Sequence, residues 1–192
     1  YQRVVGEDAV HLRRGGTIAL DPAMTVTCVA SGGVVIGETN PETGRDENDM
    51  SVSLLVRYGG FSYFIGGDIH AHTEQKIADR NLVMNVDVYQ ANHHGSHTSS
   101  DPDFLADLSP QVTIISNGSH GRYHHPRQVT LGALAALTPA PVVFQTNKYL
   151  RGNNLGDNVP DARIADPETS DTDGTILITV DLAAGTFTVS YG

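Results

Sequence analysis

The stretch "SVSLLVRYGGFSYFIGGD", residues 51–68, contains two apolar runs separated by a pair of glycines. The runs have the length and alternation of strands, and Gly59-Gly60 fits a tight turn between them. The stretch therefore predicts a β-hairpin. A single carboxylate, Asp68, follows two further glycines where the second strand of this hairpin ends.

Runs of strand character alternate with runs of helical character from residue 61 to residue 146. The predicted strands after the hairpin are "VDVYQ" (86–90), "QVTIIS" (111–116) and "PVVFQT" (141–146). The predicted helices are "TEQKIADRNL" (73–82), "DPDFLADL" (101–108) and "PRQVTLGALAAL" (126–137). This alternation predicts an α/β fold with a mixed sheet flanked by helices.

Details of two helices follow from side-chain type. In the first helix we expect Ile77 to point inward and Glu74 and Asp79 to point outward. Ser100, with Asp103 three residues later, forms a capping-box pattern ahead of the second helix. The helix surface that contains Ile77 is therefore expected to pack on the sheet.

The remaining segments fit one domain over residues 1–192. "TVTCVA" (25–30) predicts another strand, in which Cys28 is a small buried hydrophobe. Residues 147–173 are polar, lack periodicity and predict a long loop insertion. The last 19 residues predict a terminal hairpin that turns at Ala184-Gly185.

Composition restricts the partners of the chain. The formal net charge is −10, which disfavours tight nucleic-acid binding by this chain alone because phosphates are normally neutralised by Lys and Arg. No apolar run approaches the roughly 20 residues of a membrane span, so we expect no membrane segment and no signal peptide in this chain. The scarcity of lysine is typical of exported proteins and favours an extracytoplasmic or secreted location.

Histidines concentrate in one part of the sequence. Eight of the 9 histidines lie between His70 and His125, in three groups that each follow a predicted strand. In layered α/β folds, loops that leave neighbouring strand ends meet at one edge of the sheet. The three groups are therefore expected to share a site.

Each group admits a chemical and a structural interpretation. Asp68 suits a hard metal ligand or an Asx turn, and His70 and His72 are either ligands or polar loop residues. His93 and His94, in an extended segment, would point in opposite directions, one toward a metal and one toward a substrate. His97 is expected to be structural or solvent-facing.

The third group precedes the last predicted helix. His125 stands before Pro126 at a helix entrance, where free N–H groups favour anions. Arg122 and Tyr123 can add hydrogen-bond donors for a phosphate or carboxylate. Together the three groups favour a metal-dependent hydrolase.

Three ordered stretches, "SVSLLVRYGGFSYFIGGD", "ANHHGSHTSS" and "VTIISNGSHGRYHHP", resemble the metallo-β-lactamase superfamily. Within it they resemble the C-terminal metallo-hydrolase domain of ComEC-type competence (DNA-uptake) proteins. The resemblance runs from about Asn48 to Thr146. It implies that the chain is half of an αβ/βα four-layer sandwich.

The same resemblance implies roles for single residues. Asp68 and His94 are expected to be metal ligands in a centre of two zinc ions, with manganese possible. His93 and His125 are expected to act on the substrate or transition state, and Arg122 and Tyr123 to bind the substrate. Asn48 and Ser51 are expected to be structural.

The chain also departs from the family pattern. The motif HxHxDH, which supplies ligands to both metals in that family, is absent from residues 1–192, and His11 is a poor substitute. We expect a missing N-terminal half of the fold, in the same polypeptide or a separate chain, to supply it. The alternative is a degenerate homologue that binds no metal.

Three functions remain open at this point. The expected function is hydrolysis of a phosphodiester or related ester by zinc-activated hydroxide. The alternatives are a metal-free binding or assembly module of the same fold and a hydrolase of lactones or β-lactam-type small molecules.

Overall fold

The computed structural model describes residues 12–39, 46–118, 123–150, 157–167 and 174–192. Its strands are β1 (Thr17–Asp21), β2 (Met24–Ser31), β3 (Val34–Val35), β4 (Ser53–Tyr58), β5 (Phe61–Ile65), β6 (Val88–Gln90), β7 (Val112–Ile115), β8 (Val142–Asn147), β9 (Ile164–Asp166), β10 (Ile176–Asp181) and β11 (Thr186–Tyr191). Its α-helices are α1 (Ala71–Ala78), α2 (Pro102–Leu108) and α3 (Gln128–Ala135). The expected α/β class, with a mixed sheet and flanking helices, is confirmed.

The described residues form a 9-stranded sheet in the order β1-β2-β4-β5-β6-β7-β8-β9, with β3 paired to β2. The strands from β1 to β5 pair in antiparallel fashion, and those from β5 to β9 pair in parallel. The predicted hairpin at Gly59-Gly60 is confirmed as the β4–β5 pair. Since β5, β6 and β7 are parallel neighbours, their carboxyl ends share one edge of the sheet.

The two faces of the sheet are covered by different elements. Phe64 and Tyr89 point toward the three helices and pack with Ile77, Phe104 and Leu134, all fully buried. The neighbouring Tyr63 and Val88 point to the opposite face. There they meet the predicted terminal hairpin, which is confirmed as the two-stranded sheet β10–β11, through its inner side chains Ile176, Ile178, Phe187 and Val189.

The helices differ from the sequence predictions at their starts. The cap of α2 is Asp101 and not Ser100, because the Asp101 carboxylate accepts the backbone N–H groups of Asp103 and Phe104, each at 3.1 Å. Helix α3 begins at Gln128, two residues after Pro126. Within the segment 147–173 the structure contains the short strand β9, which pairs in parallel with β8. Residues 151–156 and 168–173 of that segment lie outside the described residues.

None of the helices in the described ranges has the length and apolar character needed to cross a lipid bilayer.

The expectation that Glu74 points to solvent is wrong. Its side chain is 0% exposed, and its two carboxylate oxygens accept hydrogen bonds from Asn92 Nδ2 and the Asp101 backbone N–H, both at 2.7 Å. Burial raises the pKa of Glu74 to about 7, although these hydrogen bonds act in the opposite direction. Glu74 thus joins α1 to the start of α2 and to the loop after β6.

This buried carboxyl group predicts a stability that falls with rising pH between about 4.5 and 7. In that window the unfolded Glu74 is ionised while the folded one keeps its proton, so unfolding releases a proton and higher pH favours it. We expect this group to lower the free energy of unfolding by about 1.4 kcal/mol per pH unit within the window. Above pH 7 this dependence ends, because Glu74 is then ionised in both states. Guanidinium unfolding curves at several pH values between 5 and 8 measure it.

Glu74→Gln is the matched variant. Its amide oxygen can accept from Asp101 N–H, and its NH₂ can donate to Asn92 Oδ1 once that amide rotates, because Asn92 Oδ1 has no partner among the described residues. The difference between the two proteins in the pH dependence of the free energy of unfolding gives the contribution of Glu74 apart from that of the histidines. Equal slopes in wild type and variant would contradict the assignment.

Candidate metal and hydrolytic site

The candidate site lies at the edge where β5, β6 and β7 end. Asp68 follows β5, His93 and His94 follow β6, and Ser116 follows β7. Asp68 donates its backbone N–H to Ser51 Oγ at 3.1 Å, and its side chain stays 36% exposed. The predicted convergence of separate strand ends therefore brings a carboxylate and two imidazoles together.

His93 and His94 occupy a tight turn and not an extended segment, so the expectation of opposite directions is wrong in its premise. Both residues are left-handed, His93 at φ 50° and ψ 43° and His94 at φ 56° and ψ 26°. Such conformations cost about 1–3 kcal/mol each and persist where surrounding structure holds them. Here the His93 backbone N–H is donated to Gly67 O at 2.9 Å, and Gly95 O accepts the Arg127 N–H at 2.9 Å.

His94 has the hydrogen bonding of a metal ligand. Its Nδ1 lies 2.7 Å from the carbonyl oxygen of Ser116, and because a carbonyl only accepts, Nδ1 must carry a proton. The other ring nitrogen, Nε2, faces Asp68 Oδ1 at 3.5 Å. This separation is close to the roughly 3.3 Å between two ligand atoms of a tetrahedral zinc ion, so a cation could bind between the two atoms.

His93 lies beside this pair in a half-buried position. Its Nδ1 is 3.1 Å from Thr98 Oγ1, which fixes the orientation of the ring. Burial lowers the pKa of His93, while the nearby Asp68 carboxylate acts to raise it. The net lowering keeps this imidazole neutral near pH 7, when it can donate or accept a hydrogen bond without carrying charge.

His125 completes a contiguous set of imidazole rings. Its ring centroid is 5.7 Å from that of His93 and 6.4 Å from that of His94. Burial, followed by the neighbouring His93 and His94, lowers the pKa of His125 to about 4. Its Nδ1 is buried and finds no hydrogen-bond partner among the described residues. His125 is therefore a neutral group at physiological pH.

The other predicted substrate residues are placed unevenly. The ring of Tyr123 stacks on His125 at 6.1 Å with an interplanar angle of 17°, and it is mostly exposed. Arg122 and His11 lie outside the described residues. His97 is exposed, as expected, and lies on the rim of the site.

An open cleft of about 520 Å³ connects these groups. It is lined by Asn48, Asp68, His93, His94, Ser96, His97, Thr98, Tyr123 and His125. Its volume falls within the range of small-molecule sites, about 300–1,000 Å³.

One residue of this region was missed by the sequence predictions. Asp49 lies in a short 3-10 turn before β4, and its carboxylate meets His70 and His72 at the start of α1. The hairpin contained the signal: Leu54 pairs with Ile65, and continuing that register outward places residue 49 opposite residue 70. The carbonyl of Ser116 had no comparable signal, because any residue type could supply it.

The turn at His93 rests on a buried amide. Asn92 is 0% exposed, donates its backbone N–H to the Tyr89 hydroxyl at 2.9 Å, and donates its side-chain amide to Glu74. Its amide packs directly on the Cα of Gly66, where a Cβ would overlap it. Gly66 therefore admits Asn92 to the position that precedes the two histidines.

No protein-family model matches the chain. Sequence similarity is found to ComE operon protein 3 of Bacillus subtilis, 36% identical over 88 residues, to competence protein ComA of Neisseria gonorrhoeae, 33% over 94 residues, and to recombination protein 2 of Haemophilus influenzae, 37% over 82 residues. The matches cover 43–47% of this chain and 10–13% of those proteins. The chain is thus similar to competence proteins over somewhat less than half its length, and it spans a small part of theirs.

Among solved structures, a candidate metal-dependent hydrolase from Parabacteroides distasonis aligns with a TM-score of 0.49 and 15% identity. The alignment covers 75% of this chain and 60% of that one.

The packing at Gly66 predicts that Gly66→Ala destabilises the protein by about 1–3 kcal/mol through overpacking against the buried Asn92 amide. Gly60→Ala is the matched control, because a Cβ there meets nothing within 4 Å, and we expect a change below about 1 kcal/mol. Urea unfolding of both variants measures the difference. Equal stability of the two variants would show that Asn92 can move away without cost.

Proposed function

We propose that the chain is part of a metal-dependent hydrolase that acts on a phosphodiester or a related ester. The observation that carries the proposal is the pair formed by Asp68 Oδ1 and His94 Nε2, 3.5 Å apart, with His94 fixed by its hydrogen bond to Ser116 O. Donation of the second ring N–H to a backbone carbonyl is one of the usual ways in which proteins orient a ligand histidine.

The donor set fits zinc, with manganese as the other candidate, but it is incomplete. A catalytic zinc ion normally has at least three protein ligands, and this pair supplies two. On our proposal the remaining ligands come from an N-terminal half of a metallo-β-lactamase-like domain, in the same polypeptide or in a separate chain. The similarity to competence proteins that extend far beyond the aligned residues supports this view.

The chemistry supplied by two bound zinc ions would be the activation of water near neutral pH and the stabilisation of negative charge on the reacting ester. The chain's own residues bind and orient the substrate. His93, held by Thr98, and His125 line the cleft as neutral imidazoles, each able to donate an N–H to an ester oxygen. Tyr123 covers the outer face of His125. In this proposal Arg122, three residues before His125, contributes a positive charge that binds the substrate.

A smaller substrate is the second candidate. The cleft of about 520 Å³ and the net charge of −10 suit a small molecule better than a polyanion. Comparing initial rates on a chromogenic phosphodiester, a lactone and a cephalosporin separates the two hydrolase functions. Absence of bound metal and of turnover on all three substrates would instead support a metal-free binding module.

The proposal predicts that Asp68→Asn in the full-length protein contains less bound metal than wild type, because the Asp68–His94 pair loses one ligand and one negative charge. It also lowers phosphodiester hydrolysis by about 100-fold or more. Metal content is measured by elemental analysis and hydrolysis with a chromogenic phosphodiester. Asp79→Asn, an exposed carboxylate at the end of α1, is the matched control and should change neither. Unchanged metal content and rate in Asp68→Asn would refute the proposal.

A further inference from the structure

A second group of side chains that could act as metal ligands lies near the start of α1. Asp49 belongs to the 3-10 turn before β4, His70 is the residue that caps α1, and His72 lies in the first turn of that helix. One ligand atom from each of the three residues lies within 4.8 Å of the other two. None of the roles expected from the family resemblance uses these three residues.

The separations within this group fit ligands better than they fit hydrogen bonds. His70 Nδ1 lies 3.4 Å from Asp49 Oδ2, and His72 Nε2 lies 3.4 Å from Asp49 Oδ1. An N–H···O hydrogen bond is usually 2.7–3.2 Å long. Ligand atoms around a tetrahedral zinc ion, with bonds of about 2.0–2.1 Å, are about 3.3 Å apart.

The carboxylate of Asp49 adds an independent reason. It is only 4% exposed, and its ion-pair partners among the described residues are the two imidazoles. A buried carboxylate is costly unless a positive charge or strong donors compensate it. Among the described residues, Asp49 Oδ1 also accepts the His70 backbone N–H at 3.2 Å, and the two imidazoles are the groups placed to compensate the negative charge of Asp49.

We propose that Asp49, His70 and His72 bind a divalent transition metal of the zinc class. Two imidazole nitrogens and one carboxylate oxygen favour zinc over calcium or magnesium, which prefer oxygen ligands. Asp46 Oδ2, 3.7 Å from His70 Nδ1 and exposed, is placed to become the fourth ligand. The site goes beyond the proposed function because it needs neither Asp68 nor any residue outside this chain.

A cation here would stiffen the support of the cleft. It would join the turn at Asp49 to the start of α1. Both of these segments are close in sequence to Asp68 or its support: Ser51, whose hydroxyl accepts the Asp68 N–H, lies two residues after Asp49, and His70 lies two residues after Asp68. The ring of His70 also stacks on His93 at a centroid distance of 5.2 Å. Metal binding would thus fix the ring against which His93 rests.

The test is zinc binding by the purified 192-residue chain, measured by equilibrium dialysis with elemental analysis. We expect His72→Gln to bind one zinc ion fewer than wild type, or to bind it at least about 100-fold more weakly. His72 is 42% exposed, so its replacement should leave the fold intact, which circular dichroism checks. His97→Gln replaces an exposed histidine outside the Asp49, His70 and His72 group, in the neighbouring cleft, and should bind zinc as wild type does.

Cobalt provides a second readout, because the visible absorption of bound Co²⁺ reports its coordination. We expect a cobalt band in wild type and in Asp68→Asn, and its loss in His72→Gln and Asp49→Asn. A wild-type chain that binds no zinc or cobalt, or a His72→Gln variant with unchanged stoichiometry and spectrum, overturns the proposal. Loss of the band in Asp68→Asn also overturns it, since the cation would then belong to the Asp68 centre. Loss of hydrolysis alone bears only on the proposed function.

Discussion

The buried amide of Asn92 holds the candidate site together. It packs on Gly66 at the end of one strand, bonds to Glu74 on the first helix, and its backbone bonds to the hydroxyl of Tyr89 in the core. A polar group buried in this way is costly unless it is satisfied, so each partner restricts where it can lie. The histidines that follow inherit that restriction, because His93 is the next residue.

The turn at His93 and His94 sets the orientation of the two imidazole rings. Two successive left-handed residues are unfavourable for side chains other than glycine, and the hydrogen bonds to Gly67 and from Arg127 offset that cost. The outcome is that the Nε2 of His94 faces Asp68 while His93 turns toward Thr98. Conformational strain of this kind is concentrated at functional positions in proteins.

Much of the architecture could be predicted because it depends on local patterns. Apolar alternation and the Gly59-Gly60 turn predicted the central hairpin, and the order of strands and helices predicted histidines gathered at one sheet edge. The burial of Glu74 could not be predicted, since a charged residue at a helical position is inward only when another element, here Asn92 and the start of α2, supplies its donors. The left-handed turn was equally hidden, because it depends on contacts with Gly67 and Arg127 that lie far away in sequence.

The parallel register of β5 and β6, in which Ile65 lies opposite Gln90, has a consequence for how the sequence can change over time. Side chains alternate between the faces of a strand, so a single inserted or deleted residue in either strand would reverse the face to which the following side chains of that strand point. The side chains of Asp68 and His94 would then no longer lie next to each other, even if the fold survived. Insertions and deletions in these two strands are therefore not tolerated, whereas the loops at the opposite edge of the sheet can lengthen or shorten without separating the two side chains.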